Sequence, residues 1–284
     1  MTLPRNQQVV GMEQNGHRAE TLRALRKLCQ GTARSFKSSV EDPLRISTGV
    51  PALDALLPGR GLQPGWLVEW LSPVEGCGVT VLALQGVRAA LQRPGLLGSG
   101  LQRPGLPRQG AWAVVDEAGE FYPPAVAGWG VSLETLLWLR PSSVGDAAWA
   151  VEQSLRCPAV GLTWFQSERI ADRVLQRWKI AAEIGGGVGV LFRPAKAART
   201  ASWADVRWLV HPQPPLTTQP PPTSQSRRTP LMGRRMRVEL LSCRGECRTG
   251  DWAELEVCDA TGDVRLVSTV AGSTSQVRGV SKIA

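Results

Sequence analysis

The sequence predicts an α/β fold: a mainly parallel sheet flanked by helices, with antiparallel strands added at the C-terminal end. Three observations predict it. Between about residues 41 and 212, short apolar runs alternate with segments of helical periodicity. One of these runs, WLVEWL at 66–71, passes through a glycine-bearing turn into the apolar helix VTVLALQGVRAAL. From residue 235 the pattern changes to RMRVELLSC, DWAELEVCD and VRLVSTVAG, strand-like runs with ATGD as a turn between the last two.

Taken in order, the first element is RAETLRALRKLCQ at 18–30, where Leu22, Leu25 and Leu28 recur at helical spacing among charges. It lies in a basic segment, residues 1–40, with seven Lys or Arg against Glu13 and Glu20. An amphipathic helix this short cannot form a core alone, so it is a candidate element for self-association or partner binding. The core, 41–212, then reads strand by strand. GAWAVVD (110–116) and a run within VSLETLLWLRP (131–141) are strands, and GDAAWAVEQSLR (145–156) is a helix. AVGLTWF (159–165) is a buried strand, followed by the helix ERIADRVLQRWKIAAEIG (168–185). GVGVLFRP (187–194) and SWADVRWLVHP (202–212) supply two more strands.

The stretch 91–109 carries a tandem duplication, LQRPGLLGSG then LQRPGLPRQG, whose Pro and Gly predict a surface loop and a tolerated insertion. Residues 213–235 are Pro-rich and basic and predict an extended linker. Residues 236–271 are expected to complete the core with β strands, and 272–284 form a flexible tail.

Composition narrows the function. The chain has 284 residues and a formal charge of +9, with arginine supplying most of the excess. Its second basic cluster is Arg227, Arg228, Arg234, Arg235 and Arg237, candidate contacts to a phosphate backbone. No run of 18 apolar residues predicts a membrane span, and MTLPRNQQVVGMEQNGH lacks a signal-peptide core, which predicts a cytoplasmic protein. Of six cysteines only Cys243 and Cys247 lie close together, and the two histidines are distant in sequence, so no metal site is expected. Trp66, Trp112, Trp164 and Trp208 sit within apolar strand runs and are expected in the core rather than on a base-stacking platform.

The chemistry should reside in SPVEGCGVTVLALQ, 72–85. A working phosphate loop needs backbone amides around the phosphates, a lysine reaching the terminal phosphates and a hydroxyl on magnesium. Gly76 and Gly78 fit the turn and Thr80 offers a hydroxyl, but Val79 holds the lysine position. A neutral branched side chain cannot replace a cation beside several negative charges. The loop Ser72, Gly76, Gly78, Val79, Thr80 therefore reads as degenerate, with no catalytic residue and no cofactor.

Around that loop the chain resembles a known family. ISTGVPALDALLPGRGLQPGWLVEW (46–70) resembles the segment before the phosphate loop of RecA-type recombinases. VVDEAGEFYPPAVAGWGVSLETLLWLRP is similar to the strand and following stretch that carry their catalytic glutamate. The match runs in order from Ile46 to Arg193 and continues through the strands at 203–210 and 236–242. Its departures share one direction. The loop is one residue longer, Ser72 replaces its first glycine and Val79 its lysine. The glutamate position falls on Ala118, beside Glu117 and Glu120, and the magnesium-associated aspartate falls on Gln166. The loops that grip DNA in the recombinases, here QSERI and RPAKAARTAS, are short.

With LFRP, VRW and TGDVRLVS, the chain resembles the ImuA family. That resemblance implies a RecA-like P-loop NTPase-type core with a degenerate nucleotide site. It also implies a non-catalytic accessory role in SOS-linked translesion DNA synthesis. The partners it implies are ImuB, an inactive polymerase relative, and an error-prone replicative-type polymerase, with DNA contact and homo-oligomerisation as further expectations. Two alternatives stand beside it: an ATP-dependent RecA-type ATPase using Thr80, Glu117 and Glu120, and a binding protein like an SOS-linked cell-division inhibitor.

Overall fold

The computed structural model describes residues 45–74, 76–92, 111–214, 233–245, 249–258 and 261–270. The helix bearing Leu22, Leu25 and Leu28, the duplication beyond Gln92, Arg227, Arg228 and the tail lie outside the described residues. Among those described, nine strands form one sheet: β1 (Leu67–Ser72), β2 (Ala111–Val115), β3 (Leu136–Leu139), β4 (Val160–Gln166), β5 (Val188–Pro194), β6 (Val206–Gln213), β7 (Gly233–Cys243), β8 (Trp252–Cys258) and β9 (Val264–Val270). Their order is β3-β2-β4-β5-β1-β6-β7-β8-β9. Pairing is parallel from β3 through β6 and antiparallel from β6 to β9. The predicted α/β class with a C-terminal antiparallel addition is what the chain adopts. No helix among the described residues is long and apolar enough to cross a membrane.

The sheet is covered unequally, and composition explains why. Parallel strands buried on both faces read as near-continuous apolar runs, as β1, β4 and β5 do. One face carries α1 (Pro51–Asp54), α2 (Val79–Gln92) and α3 (Pro123–Gly128), packed on Trp70, Trp112, Trp164 and Trp208. The other carries α4 (Val144–Arg156) and α5 (Asp172–Gly185), packed on Leu67, Val115, Phe165 and Leu191. The four tryptophans assigned to the core, Trp66 included, are all buried. From β7 onward the strands alternate, with Met236, Val238, Leu240, Leu255 and Val257 buried and charged residues between them.

Local signals set the helix ends. Ser143 caps α4, its hydroxyl accepting from the Asp146 N–H at 3.1 Å and donating to the Asp146 carboxylate at 2.9 Å, a reciprocal cap. The α5 helix stops at Gly186, whose φ of 75° is the left-handed conformation of a helix end, with its N–H on the Ala182 carbonyl at 2.8 Å. It starts at Asp172, four residues later than the sequence reading, because Ala171 is extended and Ile170 packs inward. The short α3 helix was not predicted; Pro123 and Pro124 preset its first turn.

The linker boundaries also need correction. Gln213 closes β6 and pairs with Arg235, Pro212 pairs with Met236, and β7 opens at Gly233. Arg234 and Arg235 therefore lie in a strand rather than on an extended linker, and Arg237 lies in the strand expected for it.

Candidate functional site

At the carboxyl end of β1 the chain turns into α2. Ser72 donates its hydroxyl to the Val74 carbonyl at 3.3 Å. Gly76 (φ 71°) and Gly78 (φ 91°) then bend the backbone into the first helical turn. Val79, at the position where a phosphate loop carries its lysine, is buried with Cys77 in the core beneath the turn, while Thr80 is exposed.

Two side chains of β7 contact this turn. The methyl of Met236, itself fully buried, lies 2.5 Å from where a Cβ on Gly78 would stand. Arg234 Nη1 donates to the Gly76 carbonyl at 2.6 Å. The loop thus packs against thioether and valine, and the nearby arginine is bonded to a backbone oxygen. Among the described residues the two lysines are engaged with carboxylates, Lys179 with Asp205 at 2.7 Å and Lys196 with Glu168 at 3.7 Å.

The segment before the turn is tied by its own polar residues. Asp54 accepts from Ser47 Oγ at 2.5 Å, and from the Thr48 N–H and hydroxyl at 2.7 Å each. The ISTG…ALD pattern is therefore a local knot that fixes the approach to β1.

The other positions expected to carry hydrolysis stand on separate strands. Gln166 ends β4, two strands from β1, and Glu117 follows β2, three strands away. At the usual spacing between strands these are roughly 10 and 14 Å of lateral separation. Glu117, Ala118 and Glu120 are all exposed. The buried carboxylate here is Asp116, and it is committed to structure. It accepts from the Glu120 N–H at 2.9 Å, the Phe121 N–H at 3.3 Å and Trp138 Nε1 at 3.1 Å. Among the described residues no group of three or more His, Cys, Asp or Glu side chains could hold a metal ion.

Of the five arginines expected to meet phosphates, the three in β7 have internal partners. Arg235 donates to Glu254 Oε1 at 2.6 Å, Arg237 stacks over the Trp252 ring at 4.4 Å, and Arg234 holds the turn. Strand alternation sends Arg235 and Arg237 to one face and Arg234 with Met236 to the other.

Charge is concentrated where sequence reading did not look. Glu69, wholly buried in the middle of β1, accepts from Arg193 Nη1 of β5 at 2.6 Å and from Arg207 Nε of β6. Arg207 also donates to the carbonyls of Ala197 at 2.7 Å and Thr200 at 3.2 Å. The signal was available: a lone carboxylate inside WLVEWL requires cations from its neighbours, and LFRP and VRW carry them.

A second network joins α5 to β6 and to the end of β7. Lys179 meets Asp205 at 2.7 Å and Glu183 at 3.1 Å, and Arg244 meets Glu183 at 2.9 Å. Hydrogen bonds from Arg244 and then Lys179 hold the Glu183 carboxyl below its ordinary range, and Glu183 and Asp205 in turn raise the Arg244 guanidinium.

A cleft of ≈ 160 Å³ opens at the carboxyl edge of the sheet between α4 and α5, lined by Val144, Ala148, Val151, Phe165, Val174 and Trp178, with Glu117, Gln166 and Arg169 also in its wall. Comparison with known proteins finds no matching family model and no matching curated protein.

Proposed function

We propose that this chain is a non-catalytic RecA-like accessory protein of damage-induced translesion DNA synthesis, acting through protein contacts. The observation that carries the non-catalytic half of this reading is the packing of the turn after β1. Val79 is buried in the core, Met236 abuts Gly78, and Arg234 occupies the Gly76 carbonyl. Phosphoryl transfer depends on positioned charge, and the turn offers none that is free of a structural contact. The assignment to SOS mutagenesis, with ImuB and an error-prone replicative-type polymerase as partners, rests on the resemblance at 46–70 and at LFRP, VRW and TGDVRLVS.

DNA contact through Arg227, Arg228, Arg234, Arg235 and Arg237 belongs to the same proposal. It predicts binding that weakens steeply with salt. Arg235 and Arg237 would have to give up Glu254 and Trp252 to make such contacts.

The test is capture of the tagged full-length chain from DNA-damaged cells of its source. Recovery of mutagenesis and replication proteins supports the reading. Recovery of cell-division proteins instead would favour the inhibitor-like alternative and overturn this one.

A further inference from the structure

The outward side of α5 is not a plain polar surface. Its inner side buries Leu175, Trp178, Ala181 and Ala182, as an amphipathic helix should. Outside, Arg173, Arg177, Ile180 and Ile184 follow at spacings of four, three and four residues, so they form one straight seam. Ile180 is 47 % exposed and Ile184 60 %. At about 1.5 Å per residue the seam runs roughly 16 Å, or three helical turns.

Trp203, 43 % exposed, stands at the start of this helix because its Nε1 donates to Asp172 Oδ1 at 2.9 Å. That bond orients the indole before any partner arrives. Three of the nine exposed large apolar side chains among the described residues thus lie on α5 or beside its first turn. Scattered exposed apolar residues need no explanation, whereas a cluster marks a contact surface. Charge divides the seam. Arg173 makes no ion pair among the described residues, and Arg177 shares the one carboxylate of Glu152 with Arg156. The flanking acids are engaged, Asp172 with Trp203 and Glu183 with Lys179 and Arg244. The first half of the seam is therefore cationic and the second half apolar.

We infer that this seam docks an amphipathic helix of a partner protein, whose apolar pair covers Ile180 and Ile184 and whose acidic residues meet Arg173 and Arg177. Helix-to-helix recognition reads anchors at these spacings, and Trp and Arg are enriched at binding hot spots. Charge selects the occupant. The chain's own segments 93–110, 215–232 and 271–284 contain no Asp or Glu, and residues 1–40 carry seven cations against two acids. None of them supplies the acidic complement. A second copy fits no better. A two-fold pair of these seams would set each isoleucine against an arginine when antiparallel, and arginine against arginine when parallel. A nucleic-acid strand following the seam past Arg177 would bring its phosphates onto two isoleucines, which offer them no hydrogen bond. The inference does not depend on the proposed role in mutagenesis.

The test selects a phage-displayed library of helix-forming random peptides on the full-length chain and measures the enriched peptide by fluorescence polarisation. The expected result is a peptide with an apolar pair one turn apart and Asp or Glu within two turns on the same face. Ile184→Asp should weaken its binding about tenfold. Arg173→Glu should weaken it comparably and bind better a version of the peptide with Lys in place of its acids, which separates this seam from unspecific apolar adhesion. Both substitutions are at exposed positions and should leave the urea midpoint unchanged. Recovery of no peptide, peptides without acidic residues, or binding indifferent to both substitutions would overturn the inference. So would dimers of the chain alone that Ile184→Asp abolishes, or binding of single-stranded oligo(dT) that Arg173→Glu abolishes.

Discussion

A single strand holds both extremes of this molecule's electrostatics. In the middle of β1, Glu69 is wholly buried between two arginines from the neighbouring strands. At its carboxyl end, the turn that resembles a phosphate loop is packed by Val79, Cys77 and Met236. A nucleotide-hydrolysing site would put its charge at the strand end, where substrate arrives. Here buried charge ties β5, β1 and β6 together, while at the strand end Met236 and Arg234 of β7 contact the inner side of the turn. The difference teaches that the ionic residues along this strand serve cohesion of the sheet.

The comparison can be broken most forcefully at Glu69. Glu69→Gln leaves Arg193 and Arg207 buried without a counter-charge, and should cost about 3–5 kcal/mol in urea denaturation. A loss below 1 kcal/mol would show that the network does not hold the sheet. Next comes the packing of the turn. Met236→Ala removes a fully buried side chain beside Gly78 and should cost about 2–5 kcal/mol, read in the same way. It should leave the chain unable to bind ATP, because opening space supplies no cation.

Gly78→Ala forces a side chain into a φ of 91° and toward the Met236 methyl, for a loss of about 1–2 kcal/mol from the backbone alone. The double variant with Met236→Ala should recover the part due to the clash. The smallest effect concerns the half-exposed pair Glu183–Arg244. Because the folded carboxyl is held below its ordinary range, its stabilisation is present above the unfolded value of about 4.3. It is lost as pH falls through the lower folded value. Solvent screening limits it to at most about 1 kcal/mol. Arg244→Met should flatten that acid limb by lowering stability at neutral pH by at most about 1 kcal/mol, with little change at low pH.

The sequence made the sheet legible because its strands announce themselves: WLVEWL, AVGLTWF and GVGVLFRP are buried on both faces and carry few polar interruptions. The change to alternation at RMRVELL marked the antiparallel addition for the same reason. The packing of the turn was only half legible. Val79 in place of lysine could be read directly, but Met236 and Arg234 reach the turn from a strand more than 150 residues away, through pairing that no local pattern specifies. Composition misled at Arg234, Arg235 and Arg237. A Pro- and Ser-rich run ends just before them at Pro230, and the ladder that places Arg235 on Glu254 and Arg237 on Trp252 depends on β7–β8 register. The Glu69 triad was implicit in three motifs read separately.

Calorimetric titration of the purified full-length chain with ATP and magnesium tests the central claim most directly. A lysine-free turn predicts no binding up to millimolar ATP and no turnover. Micromolar, magnesium-dependent binding that disappears in Thr80→Ala or Glu117→Gln would contradict it.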